Sequence, residues 1–430
     1  MTQVDPGIAI GLTAFVLIAT VIVLRKLPTL AFAVWVATLC FVPYWLGVTV
    51  SGYFPPTTAV GIVIVAALFS RHRSPVSLVD LVVLAMIAVQ LVALALKTGT
   101  LTSTFVLIAH WGLGYLLGRI VISRISADRV YRTIAVALSV VAILALVEFA
   151  TRQNIFVSIK ASNSLYSTWA PLLQRGGLLR VEGAFGHPIA LGASLALAIP
   201  LTLASSFRLW VRASMVFVMV GATIVTFSRA SMLCAIISLA LSVFSLRDSI
   251  PARARSVFVG GTIMIGVLAT PLVLKTFSEA GSEATASASY RGDLLSLIPS
   301  MAPVGVAAES HRNASGDTYF GTFHSIDSAL IYFGLTNGLI PLGLIVAVLL
   351  AAIVLVASGR AAPATLAIVA QLPALATVAL ITQYAMFFWV ICGIAVSTQL
   401  AQSRNRSRTG LDSGRIAAPH NTFQSSPYVR

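Results

Sequence analysis

Residues 335–357 read LTNGLIPLGLIVAVLLAAIVLVA, and this stretch decides the fold class. It contains no charged residue, and a helix of about 20 such residues crosses the hydrocarbon core of a membrane. Similar apolar stretches recur along the rest of the chain. Thirteen stretches are predicted to span a membrane: 7–24, 29–49, 57–70, 76–96, 101–118, 133–150, 188–207, 211–227, 230–246, 256–274, 335–357, 363–382 and 384–401.

The composition supports a membrane protein with many spans. The chain has 430 residues, of which 58% are hydrophobic and only 10% charged, and its mean hydropathy is +0.95. Because backbone in lipid must satisfy its own hydrogen bonds, the predicted fold is all-α: a polytopic bundle of about 12–13 spans with one large extracytoplasmic loop that contains short helices. Residues 1–401 are predicted to form the membrane domain, and the Ser- and Arg-rich residues 402–430 a disordered cytoplasmic tail.

The first apolar stretch is predicted to be a retained helix with its N-terminus outside, since Asp5 precedes it and Arg25 and Lys26 follow it. The three cysteines fall inside predicted spans and form no disulfide or metal-binding pattern. The sequence contains no Asp-x-Asp pair, which disfavours a metal-dependent nucleotide-sugar transferase. Neither a metal nor a cofactor is expected.

Positive charge is distributed unevenly between alternate connections. The net charge is +15, and the positive-inside rule accounts for it without a nucleic-acid partner. Nineteen of the 28 Lys and Arg residues fall in one set of connections, which is therefore predicted to be cytoplasmic. The other nine are predicted to face outside, and eight of them lie in residues 151–187, 228–229 and 275–326. This excess on the disfavoured side predicts anion binding.

The first of these connections ends in Arg180-Val-Glu-Gly-Ala-Phe-Gly-His-Pro188. Pro188 suits the first turn of a helix, so an anion beside Arg180 would meet a guanidinium group and a helix N-terminus together. Glu182 and His187 are predicted to support this site. The alternative is that Arg180 reaches lipid headgroups and that His187 only caps the helix.

The second connection is a tight turn, TFSRAS over residues 226–231. An arginine in so short a turn must lie at the membrane interface. Arg229 is predicted either to bind phosphate or, together with Ser228, to satisfy the ends of two helices.

The third connection, residues 276–326, is predicted to be the catalytic loop. Residues 278–289 have the composition of a flexible linker, and residues 290–298 are predicted to form a short amphipathic helix ended by Pro299. Arg291 lies at the start of that helix. It is predicted to bind the anion, with an exposed surface charge as the alternative.

A second helix in this connection is predicted to start at Thr322. On it, His324 and Asp327 would share a face at i and i+3, and the carboxylate could fix the tautomer of the imidazole. His324 is therefore the candidate general base. The alternative is a solvated histidine without a catalytic role.

The order of these motifs resembles that of the O-antigen ligase and polymerase superfamily of bacterial membrane glycosyltransferases. The likeness covers residues 180–338, whereas the first third of the chain shares only its hydropathy. Ile189 and Ser325 stand where the family often has Asn. The resemblance rests on Arg180–Pro188, Phe227-Ser-Arg-Ala-Ser231, Tyr290-Arg291 with Pro303 and Gly305, His324-Ser-Ile-Asp-Ser-Ala-Leu330, and Gly334-Leu335 with Gly338.

The resemblance implies an inverting glycosyltransferase that works without a metal at the outer face of a bacterial cytoplasmic membrane. Its donor would be an oligosaccharide on a polyprenyl pyrophosphate embedded in the lipid, and its acceptor a glycan. Arg180 and Arg291, with Arg229 in reserve, would hold the pyrophosphate, and His324 would accept the proton of the attacking hydroxyl. Polymerisation of polysaccharide repeat units is the activity expected.

Three other functions stay open at this point. One is a ligase that attaches a finished polysaccharide to a terminal lipid or protein acceptor. Another is a transporter or flippase of lipid-linked sugars, which would need a polar path through the membrane rather than polar residues at one face. The third is an assembly scaffold without catalytic activity, which would tolerate the loss of His324.

Overall fold

The structure is a computed structural model dominated by helices. Helix accounts for 76% of it, which confirms the predicted helical class. Within the described part of the chain, six short strands pair into three antiparallel hairpins. The structure describes residues 6–50, 52–69, 75–246, 251–279, 290, 292–312 and 318–416.

Each of the thirteen predicted apolar stretches contains helix. A π-helical stretch, Val106–Gly112, joins α5 to α6. The α-helices are α1 (Pro6–Lys26), α2 (Pro28–Phe41), α3 (Pro56–Leu68), α4 (Leu78–Ala95), α5 (Leu101–Phe105), α6 (Leu113–Arg124), α7 (Ala127–Thr151), α8 (Ser164–Trp169), α9 (Pro188–Ala204), α10 (Leu209–Val225), α11 (Arg229–Ser245), α12 (Ala252–Glu279), α13 (Ala329–Asn337), α14 (Leu339–Ala357), α15 (Pro363–Ala370), α16 (Leu372–Thr377) and α17 (Thr382–Ile416). The strands are β1 (Val48–Thr49), β2 (Tyr53–Phe54), β3 (Gln174–Arg175), β4 (Leu178–Leu179), β5 (Ser310–Arg312) and β6 (Thr318–Phe320).

Several of these helices could cross a membrane. By length and hydropathy, five helical segments of the described chain qualify. Other apolar helices, α9, α10 and α11 among them, have 10–17 residues and are shorter than a straight span. These findings are consistent with a multi-pass membrane protein, and the count of about 12–13 spans stays a prediction. The five segments are Leu78–Ala95, Leu101–Arg124, Ala127–Thr151, Leu339–Ala357 and Thr382–Arg406.

The chain turns sharply near its start. The helix axis bends by 116° between Phe15–Lys26 and Pro28–Phe41, so this pair adds at most one broken span to the five. Pro28 opens the second helix, a position where proline is tolerated because its missing N–H is not needed. The predicted location of the N-terminus outside the membrane assumes that α1 and α2 are two separate spans. It stays a prediction.

Helix α9 forms the centre of the bundle, where it packs against α7, α10, α11 and α15. Its Ala, Gly and Ser residues let neighbouring helices approach closely. A small residue also allows α6 and α17 to pack closely. A Cβ on Gly118 would lie 2.1 Å from the carbonyl oxygen of Val390, so only glycine fits there. The N-termini of α9 and α11 thereby lie side by side at one end of the bundle, where Ser231 donates to the carbonyl of Ile189 at 3.3 Å.

The structure revises the end of one predicted loop helix and the start of another. The described residues of the segment 290–298 are helical, as predicted, with 290 and 292–293 in α-helix, but Leu294–Ser300 form a 3₁₀ helix that includes Pro299 instead of ending before it. Its three-residue period puts Leu294 and Leu297 on one buried face. The second helix begins at Ala329 rather than Thr322, since Ser328 caps it by accepting from the amide of Ile331.

The tail also differs from the prediction. Helix α17 continues to Ile416, so residues 402–416 are helical rather than disordered. A helix already formed gains one hydrogen bond for each residue added, and no proline interrupts the sequence before Pro419. The rest of the predicted tail, like most of the predicted linker 278–289, lies outside the described residues.

Candidate functional site

The turn between α10 and α11 carries the first candidate residue. Phe227 adopts a left-handed backbone conformation with φ of 48°, which reverses the chain between the two helices. Ser228 then caps α11 by accepting from the amide of Ser231 at 3.3 Å. Arg229 is consequently the first residue of α11, and its side chain is exposed.

Two further arginines brace this turn from the side. They belong to the β3–β4 hairpin and the residue that follows it. Arg175 donates from Nη1 to the carbonyl of Phe227 at 2.8 Å, and Arg180 donates from Nε to the carbonyl of Thr226 at 3.0 Å. These contacts with carbonyl oxygens fix the orientation of the two guanidinium groups.

The three arginines line one cavity of about 220 Å³, which we call the arginine cavity. The other residues of its wall are apolar or carry hydroxyl groups, and no acidic residue is among the described residues that form it. Its full lining is Arg175, Arg180, Ile189, Ser228, Arg229, Ala230, Leu233, Pro373, Thr377 and Val378.

The arginine cavity also receives the N-terminus of α11 through Ser228, Arg229 and Ala230. The first amides of a helix have no partners inside it, and the helix dipole places positive potential there. Guanidinium groups and helix N-termini are both groups that bind anions in proteins. The structure therefore brings the predicted residues Arg180 and Arg229 together.

Arg175 lines this cavity but was not among the predicted anion-binding residues. The sequence contains two signals for it: it begins the polar stretch 175–188, and its charge lies in the predicted outer set. Without the hairpin geometry, nothing indicated that Arg175 and Arg180 reach the same turn.

Glu182 does not offset the positive charge at neutral pH. Its side chain is fully buried, and no described residue donates a hydrogen bond to either carboxyl oxygen. Burial, with the nearby Glu148, raises the pKa of Glu182 to about 9, although Arg180 acts in the opposite direction. Glu148 accepts from the amides of Glu182 and Gly183 at 3.1 and 3.0 Å, which fixes the backbone next to Arg180.

His187 caps α9, which is the alternative role that the sequence left open for it. Its Nδ1 accepts from the amide of Ile189 at 3.2 Å, and its ring meets Trp169 edge-on at 6.2 Å. Burial, with the charge of Arg180, lowers the pKa of His187 to about 4. The imidazole is therefore neutral at physiological pH and holds the N-terminus of α9 in place.

The predicted catalytic loop is organised around a small hydrophobic cluster of its own. A close backbone contact fixes the loop to the bundle: Gly305 has φ of 87°, and a Cβ on it would lie 2.4 Å from the carbonyl oxygen of Thr98. Val306 donates to that same carbonyl at 2.8 Å. The buried residues of the cluster are Leu294, Leu297, Met301, Ala307, Phe320, Ile326 and Leu335.

His324 lies at the exposed end of a row of rings on the β5–β6 hairpin. The His311 ring stacks on Tyr319 at 5.6 Å, and the His324 ring lies 5.0 Å from Tyr319. Because residues 324–328 are not helical, the predicted i, i+3 face with Asp327 does not form. Asp327 instead accepts from the hydroxyl of Ser325 at 3.2 Å.

His324 is not among the residues that line the arginine cavity. The segment that carries it nevertheless reaches the cavity wall, because the amide of Ala329 donates to the carbonyl of Val378 at 2.9 Å. Ala329 is five positions after His324, which limits the distance between them to about 18 Å of extended chain.

Arg291, the remaining predicted anion ligand, lies outside the described residues. Its neighbour Tyr290 donates from its hydroxyl to the carbonyl of Ser325, beside His324. Across the described part of the chain, no three His, Cys, Asp or Glu side chains converge at a possible metal site.

Comparisons with known proteins leave the family of this chain unassigned. No protein-family model matches it, and no curated protein matches it either.

Proposed function

We propose that the protein is an inverting, metal-independent glycosyltransferase of the outer face of a bacterial cytoplasmic membrane. It would transfer glycan units from a polyprenyl-pyrophosphate carrier to an acceptor glycan, and so polymerise polysaccharide repeat units. The observation that carries the proposal is the arginine cavity, whose wall contains three arginines and the N-terminus of α11. A diphosphate matches this charge and size.

The donor would lie across two adjoining cavities. Its diphosphate would occupy the arginine cavity, and a second, apolar cavity of about 250 Å³ would take part of its hydrocarbon chain. One short segment of the chain contributes to both cavities, because Thr377 and Val378 line the first and Leu375 and Leu380 line the second. An amphipathic molecule would thus place its charged group and its chain on opposite sides of one short segment.

The chemistry proposed is a single displacement at the anomeric carbon. An acceptor hydroxyl oxygen forms the new bond to that carbon, while the bond from the carbon to the pyrophosphate oxygen breaks. His324 takes the hydroxyl proton, and the electron pair of the broken bond stays on the pyrophosphate. The arginines stabilise the charge that develops there, so they supply electrostatically what a metal ion supplies in other transferases.

The clamp is tested by measuring the affinity of the purified protein for undecaprenyl pyrophosphate in lipid nanodiscs. Arg229→Gln and Arg175→Gln should each weaken binding by about tenfold to a hundredfold, because each removes a charge-assisted hydrogen bond. Arg152→Gln is the matched control, since Arg152 is an exposed arginine next to α7 that does not line the cavity. Equal affinity in all three variants would exclude the arginine cavity as the pyrophosphate site.

A further inference from the structure

A third cavity, of about 290 Å³, lies beside the β5–β6 hairpin, and its wall is rich in hydroxyl and amide groups. Thr100, Thr102 and Ser103 come from the start of α5, and Tyr332, Thr336 and Asn337 come from α13. Residues of β5 and β6 close the remaining side. We call this the hydroxyl-lined cavity; its other lining residues are Val106, Leu107, Trp111, Val306, Ser310, His311, Thr318 and Phe320.

Asn337 points to a ligand in this cavity. It is only 3% exposed, and no described residue donates a hydrogen bond to its Oδ1. Its Nδ2, in contrast, is held by the hydroxyl of Thr336 at 2.8 Å and the carbonyl of Phe333 at 3.2 Å. A buried amide oxygen without a donor is costly, and a ligand hydroxyl that reached Oδ1 would offset that cost.

The hydroxyl-lined cavity differs from the arginine cavity in the charge of its wall. The described residues of its wall include no Lys, Arg, Asp or Glu, and His311 lies at its exposed edge. No described residue of this wall carries a charge that would compensate a phosphate. Paired donors and acceptors on an uncharged surface suit a ligand whose own groups are neutral hydroxyls.

We propose that the hydroxyl-lined cavity binds a neutral sugar unit of the acceptor glycan. This inference rests on the proposed function. It adds where the acceptor glycan binds and that the bound sugar unit is neutral. The cavity shares the row of rings with His324, because His311 lines it, Tyr319 stacks on His311, and His324 contacts Tyr319. An acceptor chain that continued from this cavity past His311 and Tyr319 would reach the proposed base.

The test uses the full-length protein in nanodiscs and four neutral disaccharides: lactose, maltose, cellobiose and chitobiose. Saturation-transfer NMR reports which of them contacts the protein. At least one should bind, and Thr102→Trp, which fills the cavity from an exposed position on α5, should abolish the signal. Asn337→Ala should weaken binding by about fivefold, as expected for one net hydrogen bond. Thr151→Trp, at an exposed position at the end of α7, is the matched control and should bind as the native protein does.

The Arg229→Gln variant tests the pyrophosphate site independently of the sugar site. It should lower the affinity for undecaprenyl pyrophosphate and leave disaccharide binding unchanged. Binding of none of the four sugars, or equal binding by Thr102→Trp and Thr151→Trp, would overturn the sugar site while leaving the pyrophosphate clamp standing. Sugar binding that Thr102→Trp abolishes, with carrier affinity unaltered by Arg229→Gln, would keep the sugar site and reject the clamp.

Discussion

Arg175, Arg180 and Arg229 come from two connections separated by α9 and α10, yet they line one cavity. The charge distribution of the sequence predicted that arginines would gather on one side, and the motifs indicated Arg180 and Arg229. Arg175 could not be singled out, because its place depends on a hairpin of two-residue strands. Such short strands leave no alternating pattern that a sequence could show.

The raised pKa of Glu182 predicts how the stability of the protein changes with pH. Its folded pKa of about 9 lies above the roughly 4.3 of an unfolded glutamate, so the folded state binds more protons between these values. Stability contributed by this group is therefore complete below about pH 4 and is lost progressively as the pH rises toward 9. Glu182→Gln should flatten the fall of the melting temperature between about pH 5 and pH 9. Equal slopes in the native protein and the variant would mean that Glu182 is ionised in the folded state.

At the scale of elements, α13 connects the three cavities. Its first amide bonds to Val378 of the arginine cavity, Phe333 lines the apolar cavity, and Tyr332 and Asn337 line the hydroxyl-lined cavity. The apolar stretches of the sequence predicted where helices occur. They did not predict that residues 335–337 belong to α13, because the break at Gly338 is set by its φ of 97° and its contact with Val304.

Gly305 tests how the loop is attached to the bundle. Gly305→Ala would put a Cβ 2.4 Å from the carbonyl oxygen of Thr98 and would strain a left-handed backbone, at a cost of about 1–3 kcal/mol before any clash. We expect a lower melting temperature and faster proteolysis of the loop in nanodiscs. Gly343→Ala in α14 is the control, since a Cβ there meets no described atom within 4 Å and alanine favours helix. The same melting temperature for both variants would contradict this attachment.

At the scale of the whole molecule, hydropathy and charge predicted a helical membrane protein, and its helical class and several candidate spans are present. The span count could not be fixed in the same way, because α9, α10 and α11 have 17 residues each and the first two helices bend sharply. Length alone does not decide whether such helices cross a bilayer or only enter it.

Sidedness is tested by cysteine labelling of a variant in which Cys40, Cys234 and Cys392 are replaced by alanine. Ser167→Cys and Ser325→Cys, both at exposed positions, should react with a membrane-impermeant maleimide in intact cells. Ser358→Cys, exposed after α14 and next to Arg360, should react only after the cells are permeabilised. Labelling of Ser325→Cys and Ser358→Cys from the same side would refute the predicted topology.

The most direct test of the account is the rate at which purified protein transfers glycan from a lipid-linked oligosaccharide in liposomes. His324→Ala should lower that rate by about 10²–10⁴-fold and leave the affinity for undecaprenyl pyrophosphate unchanged, because only proton transfer is lost. His420→Ala, near the end of the chain, should transfer at the native rate. Transfer by His324→Ala at the native rate would contradict the proposed mechanism.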